Sequence, residues 1–203
     1  NPVLSRLPEL AALPADVDQW SQAVPRFLSP AHEESKKFVY RLLQEMLAEY
    51  PVEGVLLDYI RYDETILEDH ISMTHFRLEQ FNKLGKFPPL KIEKGTELFI
   101  EWQMWREAHI NKTVEMLKKD LKNIRQKKPL LGAAVFRSEP YSRLTKMQHW
   151  RHWADNNWID FAFPMLYTYD KNDLNLWLDW ETNFGKRKDY LYPILGAHRF
   201  LSP

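Results

Sequence analysis

The chain has 203 residues, with 28 basic against 28 acidic side chains and a formal charge of zero. That is length for one domain with a sizeable core, and a charge balance that offers no general attraction for nucleic acid. The absence of Cys excludes disulfides, thiolate metal sites and thiol nucleophiles.

Hydrophobic residues at 44% argue for a globular fold, and 8 Trp within a 14% aromatic fraction fit either a large aromatic core or faces that stack on flat ligands, sugars among them. The opening NPVLSRLPEL has neither an initiator Met nor a basic-then-apolar leader pattern, so the chain is expected to be a piece of a larger parent. With Pro2, Pro8, Pro14 and Pro25 this lead-in reads as irregular, with one helical turn. VPRFLSP, 24–30, reads as a short strand. From Ser29 a cap signature starts a helix carrying Phe38, Leu42, Leu43, Met46 and Leu47 at helical spacing, stopped by Pro51.

Val52 to Tyr62 is a continuous apolar run of the kind found in parallel strands buried on both faces. Residues 63–97 form a long excursion that holds a helix from Asp69, with Gly85 placed as its C-cap. A second helix is read over 96–128. Pro129 to Phe136 is a strand, and SRLTKMQHWRHWADN is one helix. Trp158 to Tyr167 is a strand, KNDLNLWLDWETNFG a last helix, and YLYPILGAH a final apolar run. The alternation predicts a parallel sheet of about five strands with right-handed crossovers, in a single domain over 1–203. RFLSP recurs at 26–30 and 199–203 without any repeat in register between.

In parallel α/β folds the chemistry lies beyond the carboxyl ends of the strands. There the sequence delivers Asp58, Tyr59, Arg61 and Tyr62; then Arg137 and Glu139; then Tyr167, Tyr169 and Asp170; then His198. Asp160 lies near the start of its strand and reads as a stability residue. Two carboxylates at neighbouring strand ends are what glycoside hydrolysis uses, one as nucleophile or base and one as proton donor. Asp58 and Glu139 are that pair, with Asp170 the next acid to try. The competing account of Asp58 is an ion pair with Arg61 or Arg137 that merely holds the rim together. The tyrosines past the strand ends would line a sugar subsite.

Three segments, FLSPAHEESKKFVYRLLQEMLAEYPVEGVLLDYIRY, WQMWREAHI and WADNNWIDFAFPMLY, resemble in order the motifs of the glycosyl hydrolase-like family ten, bacterial TIM-barrel glycosidases. The resemblance covers about Phe27 to Tyr169. It implies a (β/α)8 barrel of which this chain supplies about strands 3 to 7, with Asp58 the catalytic carboxylate and Arg106 and Tyr167 near or supporting the site. It also implies a secreted or cell-envelope setting. Ser29 stands where the family commonly has Asn, and Tyr59 where a second Asp is frequent, so a mechanism needing that second acid is not implied.

Other constellations are weaker. His149 and His152 share a helical face, but a metal would need a third ligand, so an amphipathic helix is the better reading and no metal or cofactor is expected. The basic run at 118–128 lacks interleaved aromatics and reads as a solvated helix end rather than a nucleic-acid site. No Gly-x-Ser-x-Gly elbow or Gly-rich phosphate loop occurs, and no apolar run approaches the roughly 18 residues of a membrane helix. The expectation is therefore a glycoside hydrolase acting on a polysaccharide or glycoconjugate, its oligomeric state open. The alternative is a catalytically silent carbohydrate-binding barrel.

Overall fold

Apolar runs separated by helices leave parallel pairing as the economical arrangement, because each helix carries the chain back to the end where the next strand starts. The computed structural model describes residues 2–22, 27–62, 66, 68–124, 128–183 and 189–196. In it Gly54–Leu57 (β1), Leu130–Phe136 (β2), Phe161–Leu166 (β3) and Ile194–Leu195 (β4) form one sheet in that order, every pairing parallel. The sheet curls as an open half-barrel. Glu33–Glu49 (α2) precedes β1. His70–Leu84 (α3) and Glu97–Leu121 (α4) connect β1 to β2. Glu139–Lys146 (α5) and Trp150–Asp155 (α6) connect β2 to β3, and Lys171–Asn183 (α7) connects β3 to β4. The lead-in contains a short helix, Pro2–Arg6 (α1), and two 3-10 segments.

Several expectations change. Four strands are described rather than five: Leu28 makes only an isolated antiparallel bridge with Ala11, since Pro25 and Pro30 cannot donate to a ladder, and residues 23–26 lie outside the described ones. α4 ends at Leu121, short of Lys128, in a turn over 122–124. The single helix expected from Ser142 to Asn156 is two, because Met147 adopts φ 59° and closes α5 with its amide bonded to Arg143 O. β2 is buried on both faces from Leu131 to Val135 as expected, whereas β1 and β3 are not. In β1 Leu57 is 6% exposed and its neighbour Leu56 51%, and β3 alternates in the same way, with Ala162, Pro164 and Leu166 buried and Phe161, Phe163 and Met165 half-exposed. At β1 and β3 one face is covered and the other is more open.

The chain divides into two compact units. The first, 1–39 with 61–110, has a core of Met73, Phe76, Ile92 and Trp102, where Phe76 and Trp102 meet at 5.0 Å and Trp102 stacks on Trp105 at 5.5 Å. α3 is capped as its sequence requires: Asp69 accepts from Ser72 N at 3.1 Å, and Gly85 ends the helix at φ 71°. The second unit, 40–60 with 111–203, contains the sheet. Trp150, Trp153, Leu131, Val135 and Leu166 are fully buried there, and Trp153 Nε1 donates to Asn111 Oδ1 at 2.6 Å. Asp160 binds the amino end of β2, accepting from Leu131 N at 2.7 Å and pairing with Lys118, the structural role read for it. Among the described residues no helix is long and apolar enough to cross a membrane.

Candidate active site at the strand ends

Asp58 leaves the sheet at the first residue after β1, passing from the buried Leu57 to an exposed position. The turn is made by Tyr59 at φ 56°, a left-handed conformation that costs a non-glycine residue about 1–2 kcal/mol. That turn lays the Tyr59 amide on Asp58 Oδ1 at 2.8 Å, so the backbone itself orients the carboxylate. Among the described residues Asp58 takes no ion pair with Arg61 or Arg137; the rim-pairing account of this acid therefore has no support in the geometry.

β2 ends in the same manner. After Phe136 and Arg137 comes Ser138 at φ 55° and ψ 100°, and its side chain makes no capping bond to the helix it precedes. Capping therefore does not account for its conformation, which directs Glu139 into the first turn of α5. Glu139 is mostly buried, with Oε1 3.1 Å from His149 Nε2. The two atoms lie at ion-pair distance but are not aligned as donor and acceptor, so Glu139 Oε1 is a buried oxygen with no hydrogen-bond donor among the described residues. A buried acceptor in that state is unusual and calls for a ligand or a role. Leu57 pairs with Ala133, which puts Asp58 level with Ala134, whereas β2 continues two residues further, roughly 7 Å at 3.3 Å per residue. The two acids thus leave neighbouring strands at different heights.

Gln148 fixes these exits to each other. Its Oε1 accepts from Phe136 N at 3.0 Å and from Ser142 Oγ at 3.1 Å, and its Nε2 donates to Ile60 O at 3.3 Å and to Ala134 O at 3.4 Å. Two acceptances and two donations use the amide's full capacity, and the residue is buried. One side chain therefore ties the backbone two residues past Asp58 to the strand that leads to Glu139.

Past β3, Tyr167 and Tyr169 are exposed while Thr168 is buried and accepts from Asp170 N at 3.0 Å. Asp170 Oδ1 accepts from Asn172 N at 2.7 Å and from Asp173 N at 3.3 Å, so that carboxylate caps α7 and complements its dipole. The Arg137 guanidinium carbon lies over the Trp177 ring of α7, 3.9 Å from its centroid, with the Tyr141 ring of α5 at 5.7 Å.

Three further residues expected at the site, Arg61, Tyr62 and Arg106, belong to the first unit. Arg61 sits over Phe27 at 5.2 Å and donates to Tyr62 O at 3.4 Å. Tyr62, expected to line a sugar subsite, is instead buried, its hydroxyl 3.2 Å from Ser72 Oγ, and burial followed by the charge of Asp69 pushes its phenol far up. Arg106 is buried against Tyr62 and Trp102, and burial lowers its guanidinium to about 10 against the opposing pull of Tyr62, Asp69 and Glu68. Its place is that of a support inside the fold. Asp69 and Ser29 complete this interior cluster, Ser29 Oγ donating to Asp69 Oδ1 at 2.7 Å. His198 lies outside the described residues.

Sequence reasoning passed over Gln148 and weighed His149 only as a metal ligand. A polar side chain between Met147 and Trp150 in an otherwise buried stretch was the available signal for Gln148. Nothing local announces the partners of His149 or Trp177.

A profile of the family described as glycosyl hydrolase-like 10 matches residues 9–184. The chain belongs to that family. No curated protein matches it. Membership of a glycosyl hydrolase-like family suggests a glycosidase-related function with a carbohydrate as ligand.

Proposed function

We propose that this protein is a glycoside hydrolase of the (β/α)8 type that cleaves a polysaccharide or glycoconjugate, with Asp58 as nucleophile or base and Glu139 as proton donor. One observation carries the reading: two adjacent parallel strands each end in an acid directly beside a non-glycine residue held left-handed, Asp58 before Tyr59 and Glu139 after Ser138. Backbone strain of this kind persists where it positions groups for function. The buried Glu139 Oε1, without a donor among the described residues, supports the assignment of the proton donor, because a substrate hydroxyl can donate to it and, when it carries the acid's proton, it can donate to a glycosidic oxygen.

Tyr59, Tyr167 and Tyr169 stand on the same rim as stacking faces for sugar rings. Arg137 and Asp170 flank that rim. Arg106 and Tyr62 support the fold of the first unit, and Arg61 and His198 are kept as substrate contacts on sequence grounds. The second reading, a silent carbohydrate-binding barrel, draws on Tyr59 in place of a second acid and on the capping bonds that occupy Asp170.

Reducing-sugar release from a glycan panel separates the two. Asp58→Asn and Glu139→Gln are expected to lower kcat by about 10²–10⁴-fold each while thermal melting stays within a few degrees of the wild type. Binding without wild-type turnover on any glycan would leave only the silent module.

A further inference from the structure

Arg137 is held in a way that leaves its chemistry unspent. Its guanidinium carbon lies 3.9 Å from the Trp177 ring centroid and 5.7 Å from that of Tyr141. A cation–π contact draws on the charge of the guanidinium and leaves its N–H groups able to donate. Among the described residues no carboxylate and no carbonyl takes those N–H donors. The side chain is half-buried, not waving in solvent, and its two aromatic neighbours sit on the helices that follow β2 and β3. It is therefore immobilised before any ligand arrives, which removes much of the ordering cost of binding. Two residues on along the chain lies Glu139, the proposed proton donor.

We propose that Arg137 is the carboxylate-reading group of the substrate site, and that the glycan processed here is an acidic one carrying uronate residues. The inference rests on the glycoside hydrolase reading for the location of the sugar, and adds its class. A planar fork of donors matches the two oxygens of a carboxylate in a bidentate pair. A neutral sugar offers hydroxyls but no charge to a guanidinium that makes no ion pair among the described residues. The contact with Trp177 at 3.9 Å holds the fork in place for the uronate.

Isothermal titration tests this with tetrasaccharides of galacturonate, mannuronate and hyaluronan, each against its methyl ester, on the wild type and on Asp58→Asn. At least one acid is expected to bind about tenfold or more tighter than its ester. The preference should vanish in Arg137→Gln, persist in part in Arg137→Lys, which keeps the charge without the fork, and weaken in Trp177→Leu. Thermal melts establish that each variant is folded. No preference for acid over ester with any of the three, or a preference that survives Arg137→Gln, overturns the inference. Cleavage of neutral glycans alone would overturn it and leave the hydrolase reading intact; acid-selective binding without cleavage would do the reverse.

Discussion

Tyr62 and Arg106 show how a buried polar pair writes itself into the pH dependence of stability. Burial first, and the charge of Asp69 second, push the Tyr62 phenol above its usual value of 10. Above pH 10 the unfolded chain releases a proton that the native state keeps, so this group's contribution is complete below pH 10 and is lost as pH rises. Arg106, lowered by burial to about 10 from 12.5, acts with the opposite sign. Between those values the native state gives up a proton that the unfolded chain holds, and stability rises with pH. The wild type therefore partly cancels the two effects, and Tyr62→Phe uncovers the second. At neutral pH the variant should lose about 1 kcal/mol with the hydrogen bond to Ser72. Above pH 10 the deficit should shrink and then reverse, with a slope approaching about 1.4 kcal/mol per pH unit. Urea unfolding at pH 8, 10 and 11 measures it, and a deficit constant across that range would mean that the phenol is not held protonated by the fold.

At the scale of elements, the contact between β1 and β2 depends on two glycines for different reasons. A Cβ on Gly54 would stand 2.4 Å from the carbonyl oxygen of Leu130, the residue it is paired with in register. Relief requires the strand itself to move. A Cβ on Gly132 would meet the Phe163 ring at 2.8 Å and the Leu56 side chain at 3.2 Å, both on the open face, where a half-exposed ring has room to turn. Gly54→Ala is accordingly expected to cost about 1–3 kcal/mol and Gly132→Ala distinctly less. Chemical denaturation of the two variants decides the order, and the reverse order would mean that Phe163 is locked. The connections were unevenly legible. α3 was readable at both ends because Asp69 and Gly85 are local signals with local causes. The break between α5 and α6 was not, because Met147 takes the left-handed cap that a glycine would advertise, and it does so for the tertiary reason that its side chain is buried.

Over the whole molecule, parallel order was readable from the alternation of apolar runs and helices, and Asp58 and Glu139 could be assigned to strand ends by counting from the last apolar residue. What could not be read was which face of the sheet is covered. A run such as Gly54-Val55-Leu56-Leu57 is apolar at every position, so period-two alternation, the usual marker of one-sided burial, is absent from the sequence although it is present in the structure. This makes the two leucines a direct test. They are adjacent and chemically identical, yet Leu57 is 6% exposed and Leu56 51%, and a change of face is all that separates them. Leu57→Lys puts an ammonium into the covered side and should cost about 3 kcal/mol or more. Leu56→Lys should change the stability of the 203-residue chain by less than about 1 kcal/mol, since the charge reaches water, and should lower binding of a hydrophobic dye to the open face. Measured side by side in urea, the pair reports the state of that face. If Leu56→Lys proves as costly as Leu57→Lys, something covers the open side, and the Leu56, Phe163 and Met165 surface is the lining of a closed barrel rather than the exposed wall of a half-barrel.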